Sequence, residues 1–409
     1  MIDVTIPLST PDPRAVAYLE KLQSIYTQKN YAAQEASICL PGDQSMLKAI
    51  EQVREGLGQK LKAVLVIGIG GSNLGTRAIY EAMGEAMLPL FFLDTCDAWT
   101  MNQVLKSLRS LNISSWNELA LLCVSKSGTT TETIANFSAI VLQLTEWLGT
   151  PEQSSIVIIA DTGTAAEELA KQSGYSFLSI PQQVGGRFSV LSSVGLLPLV
   201  LCGVPIASLL HGAQAQLEED CSSTSKAALY ASFLLNELAQ GKNIHDFFLF
   251  EPRLESLGKW LRQLYAESLG KDRKGMLPTV SIGSNDLHSV VQYYFGGKIE
   301  LVTSFISVSG GQDFPTSDLG VSLVKGIQGK SLNSIKEAIL EAVKTTYTHK
   351  KIPYASMQFS EISAATLGAF LQFHMTTVMI LGQLMEVNTF NQPDVEAYKT
   401  ELRAQLDSR

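Results

Sequence analysis

Charge is scarce in this chain. Only 17% of its 409 residues are Asp, Glu, Lys or Arg, against roughly 25% in an average soluble protein, and mean hydropathy is positive at +0.13. Two stretches, Phe188 to Leu210 and Ile362 to Met385, contain none of the four residue types. Each is long enough to span a bilayer. Polar residues and prolines argue against spanning: Ser192, Ser193, Pro198 and Pro205 interrupt the first, and Gln372, His374, Thr376 and Thr377 the second. Neither is flanked by the clustered Lys and Arg that fix topology. Both are expected as buried or interface helices, with no membrane as partner.

Basic charge is the scarcer sign. A net charge of -8 leaves no basic face for a phosphate backbone, so nucleic acid is not expected as the main partner. The opening residues Met1 to Pro13 mix acids and prolines with no basic or apolar core, which does not fit a signal peptide. Five cysteines, Cys39, Cys96, Cys123, Cys202 and Cys221, are odd in number and far apart, without metal or redox spacing. A reduced, cytoplasmic compartment and no bound metal follow as expectations. The length suggests two or three domains with ample core.

What the chain has in quantity is alternation. Short apolar, β-branched runs alternate with helical patterns, as in parallel sheets covered on both faces. Strands are expected at Ala63 to Ile69, Pro89 to Leu93, Leu119 to Val124, Ser155 to Ala160 and Tyr175 to Ile180, with helices after the first (through Glu85) and from Thr130 to Leu148. Helix dominates from Ser189 to Ala239. A second α/β unit follows, with strands at Ile244 to Phe250, Pro278 to Ile282 and Ile299 to Val308 and helices at Glu255 to Leu269 and Asp286 to Phe295. Closing helices are expected at Ser331 to Thr346, Ser360 to Val387 and Asp394 to Leu406. The expected division is an N-terminal segment 1–45, a first domain 46–215 and a second domain 216–409.

Two loops suit an anion. Gly68 to Gly75, after the first strand, offers backbone N–H groups at a helix start. It has no Walker lysine, since Thr76 follows Gly75, and Asn73 stands at the third position of a dinucleotide fingerprint. Asp94 nevertheless lies near where a ribose-binding acid belongs, which keeps a nicotinamide dehydrogenase in play. The segment Ser125 to Thr133 holds six hydroxyl residues in nine. It reads either as an overbuilt helix cap completed by Glu132 or as a cradle in which Ser125, Ser127 and Thr130 hold a phosphate monoester. Without a Walker lysine or magnesium ligands, that phosphate is a handle and not a leaving group.

These loops, VIGIGGSNLG and VSKSGTTTET, resemble the signature loops of the glucose-6-phosphate isomerase family, built from two sugar-isomerase (SIS) domains. Four further segments fit in order: Val184 to Ser189 (VGGRFS), Glu267 to Lys271 (ESLGK), Asp286 to Ser289 (DLHS) and Asn391 to Lys399 (NQPDVEAYK). The fold class this implies is α/β: two doubly wound, flavodoxin-like α/β/α sandwich domains with parallel sheets and closing C-terminal helices. The implied activity interconverts glucose 6-phosphate and fructose 6-phosphate without a cofactor, commonly as a homodimer whose histidine reaches the neighbouring subunit's site. Thr389, Asn391, Asp394 and Gln182 depart from the usual family pattern.

The resemblance assigns roles. A carboxylate must move the proton between C2 and C1, and Glu267 takes that part. Glu255 heads a near-copy of the same pentapeptide twelve residues earlier, and twelve residues turn a helix by about 120° net, so the two cannot share a face. Arg187, with Gly186 allowing close approach, would stabilise the enediolate. His288 and Lys399 would open the sugar ring, with Glu132 orienting His288. Gly71, Ser72, Ser125, Lys126, Ser127 and Thr130 would bind substrate on the phosphate side, and Gln263 and Gln392 the sugar hydroxyls. His211, His245, His349 and His374 are read as structural. A sugar-phosphate sensor would need the cradle but not Glu267, His288 and Lys399 together.

Overall fold

In the computed structural model, residues 2–84, 88–222, 224–298, 300–317, 324 and 326–408 are described. Ten strands appear in chain order: β1 Ile2–Thr5, β2 Ala63–Ile67, β3 Leu90–Leu93, β4 Leu119–Val124, β5 Ile156–Ala160, β6 Ser176–Ser179, β7 Ile244–Leu249, β8 Leu277–Ile282, β9 Leu301–Val308 and β10 Tyr354–Phe359. They form two five-stranded sheets, ordered β3-β2-β4-β5-β6 and β1-β10-β9-β7-β8. The first is parallel throughout, in the flavodoxin order whose ligands bind where strand order reverses. That point falls between β2 and β4, at the two anion loops. Residues 85 and 299, expected at the ends of a helix and a strand, lie outside the described residues; the elements themselves run Leu74–Met83 and Leu301–Val308.

Every residue of β2, β4 and β5 is buried, as in a sheet covered on both faces. Alternate residues serve different cores. Val64 and Val66 share one continuous core with Phe247, Leu249 and Ile306 of the second sheet. Ala63, Leu65 and Ile67 face a separate cluster under the helices Ala98–Ser110 and Thr131–Leu148. The second sheet has its own outer cluster around Phe305 and Tyr347. Its β7, β8, β9 and β10 are parallel; β1, from the N-terminal segment, adds an antiparallel edge on β10, pairing Ile2 with Phe359.

The two uncharged stretches fill the space between the sheets. Ala364–Leu384 is the one described helix long and apolar enough to cross a membrane, and nearly all of it is buried. It crosses the helix Ile206–Asp220 closely: a Cβ at Gly368 would stand 1.9 Å from the Leu209 carbonyl oxygen. The first stretch starts at Phe188, the end of the Gly186–Phe188 turn, and runs through the largely buried helix Ser193–Leu201 into the helix Ile206–Asp220.

Two histidines sit in this core. His245 Nε2 lies 3.1 Å from the Tyr230 hydroxyl and 2.9 Å from Ser304 Oγ, and His374 Nδ1 lies 2.9 Å from the Tyr265 hydroxyl. Burial pushes His245 down to about 3 and His374 well below its usual range. Their folded-state stability is therefore present above about pH 6.5 and lost as pH falls. Asp246, raised by burial to about 6, and Asp220, raised well up, titrate in the opposite sense, so only a comparison isolates a histidine. The stability gap between the parent and His374→Phe is expected to change by about 1.4 kcal/mol between pH 7.5 and 5.5, in the direction of a less acid-sensitive variant. Chemical unfolding at the two pH values checks this; an unchanged gap would mean that His374 does not protonate on unfolding.

Candidate active site

The loop after β2 forms a short 3-10 turn, Gly70–Ser72, pressed against the Gly186–Phe188 turn. A Cβ on Gly71 would stand 2.1 Å from the Gly186 carbonyl carbon, so two backbones meet where no side chain fits. Asp94 is bound within the chain, accepting from Asn73 Nδ2 and Arg77 Nη2, both at 2.9 Å. One oxygen of the acid that a dehydrogenase would use for ribose is thus engaged within the chain, and Gly71 packs against Gly186, which weighs against that reading.

At the end of β4, Thr130 precedes the helix Thr131–Leu148 but makes no side-chain capping bond. Ser125 Oγ donates to Thr130 Oγ1 at 3.0 Å, and Ser127 Oγ accepts from the Thr129 N–H and hydroxyl. The hydroxyls are not spent on the helix, so its first N–H groups and positive end stay open to an anion. Lys126 Nζ donates to the Gln182 carbonyl at 2.6 Å. Burial lowers its pKa, against the pull of Asp161. Because Gln182 acts through its backbone, its unusual side chain leaves this contact intact.

Arg187 is the hub. The residue is 2% exposed, and its guanidinium makes five bonds: Nε to Ser268 Oγ at 2.7 Å, Nη1 to Glu267 Oε2 and Gln392 Oε1 at 3.1 Å each, and Nη2 to the carbonyls of Thr389 at 2.5 Å and Asn391 at 3.2 Å. Burial pulls its pKa down while Glu267 holds it up. Glu267 comes from the helix Glu255–Leu269, whose Leu257, Trp260, Leu261 and Leu264 face the core. Gln263 lies one turn before it on the same stripe, and its Nε2 donates to Glu267 Oε1 at 3.0 Å. Glu255 is paired with Lys259 at 2.8 Å and lines no part of the cleft, as the 120° offset requires.

These groups surround a cavity of about 510 Å³, within the usual range for small-ligand sites. Gly71, Lys126, Thr130, Glu132, Gly186, Arg187, Gln263, Glu267, Gln392 and Lys399 all line it. Ser127, Thr130, Glu132 and Lys399 also line an adjoining hollow of about 200 Å³ under the helix Glu396–Asp407, together with Arg403. Lys399 Nζ is paired with Glu396 at 2.7 Å. Ser72 and Ser125 line neither space. His288 also lines neither. It is exposed, in the Asn285–His288 turn after the edge strand β8, and within one chain makes no bond to Glu132. Gln34, Tyr398 and Phe390 line the cavity unanticipated. Among the described residues no cluster of three or more His, Cys, Asp or Glu is gathered for a metal.

Residues 42–408 match the family profile described as phosphoglucose isomerase. The chain is 32% identical over 383 residues to the glucose-6-phosphate isomerase of Parabacteroides distasonis, covering 88% of this chain and 84% of that one. Among solved structures, a hypothetical protein from Thermus thermophilus superposes with a TM-score of 0.86 at 28% identity, over 99% of this chain and all of that one. A glucose-6-phosphate isomerase from Chlamydia trachomatis shares the fold with a TM-score of 0.77 at 23% identity, over 91% and 74%. A match over residues 42–408, nine-tenths of the chain and including both anion loops, shows that the chain belongs to the phosphoglucose isomerase family.

Proposed function

We propose that the protein interconverts glucose 6-phosphate and fructose 6-phosphate, with the cavity around Glu267 as its active site. The observation that carries this is the Glu267–Arg187 pair facing one cavity beside the open hydroxyl loop. Ser127, Thr130 and Lys126, with the N-terminus of the helix behind them, hold the phosphate; Ser125 supports Thr130 from behind, and Ser72 backs the glycine loop. Glu267 takes the proton from C2 and returns it to C1. Arg187 offsets the charge that develops on the enediolate oxygen. Gln263 and Gln392 bind sugar hydroxyls. The sugar arrives as a ring, whose opening needs an acid and a base. Lys399 faces the cavity for that step.

The other ring-opening group is His288 of a second copy. Its exposure on a sheet edge, away from its own cavity, fits a homodimer with a shared site in which Glu132 orients the incoming imidazole. Five free cysteines suit a reducing, cytoplasmic setting. The activity test supplies fructose 6-phosphate and follows glucose 6-phosphate through a coupled dehydrogenase; binding without turnover would leave a sugar-phosphate sensor. The shared site has its own test. A mixture of Glu267→Gln and His288→Ala proteins, each inactive, should regain about a quarter of parental activity on subunit exchange, because half the dimers are hybrids with one intact site. No recovery in verified hybrids would place Glu267 and His288 of each site in the same subunit, and a His288→Ala protein with parental activity would place His288 outside the reaction.

A further inference from the structure

Among the described residues Lys271 is the only buried lysine, 7% exposed, and no step above uses it. It stands just past the helix Glu255–Leu269, where the last carbonyls lack partners and attract cations. The chain turns through Asp272 and Arg273, both at positive φ, and the Lys271 side chain folds back. Its Nζ donates to the Ser268 carbonyl at 3.1 Å and, in a short contact, to the Asn388 carbonyl. Lys274 of the same turn donates to the Met385 carbonyl at 2.9 Å.

Arg187 holds the same loop from the cavity side, through Thr389 and Asn391. Ser268 accepts from Arg187 at its hydroxyl oxygen and from Lys271 at its carbonyl. Two cations therefore join the same two segments, one at the cavity and one behind it. Asn388 Oδ1 accepts from the N–H groups of Phe390 and Asn391, which passes its position along the chain toward Gln392.

We propose that Lys271 is a positioning residue for the isomerisation: by tying Asn388 to the end of the Glu267 helix, it sets where Arg187, Gln392 and the helix carrying Lys399 stand against the sugar. This rests on the isomerase reading. Lys271→Met removes the donors at similar length. A merely structural loss would reduce the amount of active protein and hence kcat, leaving KM unchanged. Displacement of the loop weakens the hold on the sugar, so KM for fructose 6-phosphate should rise about tenfold. Lys271→Arg keeps charge and donors and should bring KM back to within about threefold of the parent. A folded Lys271→Met protein with the parental KM overturns the proposal.

Should that variant not fold, pH supplies a second test. Burial, then Arg187, pull Lys271 down to about 8, against Glu267, Asp272 and Asp394; Arg273 and Lys274 are the other charges of the turn. As Nζ loses its proton above that pH, charge-assisted bonds become neutral ones of about half the strength. KM of the unmodified protein should rise between pH 7 and 9, and Lys271→Arg should lack that rise. A flat KM in the unmodified protein, or an equal rise in Lys271→Arg, overturns the proposal. Absence of turnover by the unmodified protein strikes the isomerase reading instead.

Discussion

Glu267→Gln is expected to lower kcat/KM by about a thousandfold, a loss typical of a missing general base, while leaving sugar-phosphate binding nearly intact. The amide matches the carboxylate in shape and still accepts from Arg187, so the cavity wall keeps its form. What disappears is the ability to take a proton. Binding survives because the hydroxyl loop after β4 belongs to a different element and makes no contact with Glu267. Glu255→Gln is the internal control: Glu255 is paired with Lys259 and lies outside the cleft, so its replacement should change kcat/KM by less than about twofold. Steady-state kinetics with a competitive sugar-phosphate analogue separates the two quantities. A reversed ranking would move the base to Glu255.

Arg187→Lys carries the second large effect. The substitution keeps the charge but cannot reproduce the planar fork, with five donor bonds reaching two segments and the cavity. An ammonium has three donors at one point. The Thr389 and Asn391 carbonyls, or Glu267 and Gln392, then lose their partner. We expect kcat to fall about a hundredfold, as when a fixed donor to a developing oxyanion is removed. Unfolding free energy should drop by about 2 kcal/mol through the carbonyls left unpaired. Thermal melting and kinetics on the same preparation check both. Stability loss with kcat within about threefold would make Arg187 a structural pin only.

How much of this was legible in the sequence depends on the range of the interactions. The strands β2, β4 and β5 are continuous apolar runs because both faces are covered, and such runs announce themselves. Strand β10 alternates, with Ala355, Met357 and Phe359 buried between more exposed neighbours. A search tuned to continuous runs passes over it. Strand β1 has four residues and gains its identity from pairing with β10, more than 350 residues away. No local pattern records that. The site divides in the same way. Gln263 was legible from Glu267 by helical spacing, and the hydroxyl loop by its composition. Glu267 and Glu255 could not be ranked from residue chemistry alone, because their difference lies in which helix face meets Arg187. Gln34 reaches the cavity from the N-terminal segment, and Lys271 acts on a carbonyl 117 positions along the chain; backbone acceptors leave no trace in side-chain sequence.

Turnover in deuterium oxide followed by proton NMR separates proton transfer through an enediol from direct hydride movement between C1 and C2. The proton taken up by Glu267 exchanges with solvent while the enediol waits, so deuterium should enter C2 of glucose 6-phosphate and C1 of fructose 6-phosphate as the two interconvert. Interconversion with no deuterium at either carbon after many turnovers would be the behaviour of direct hydride movement, and would contradict the role given to Glu267.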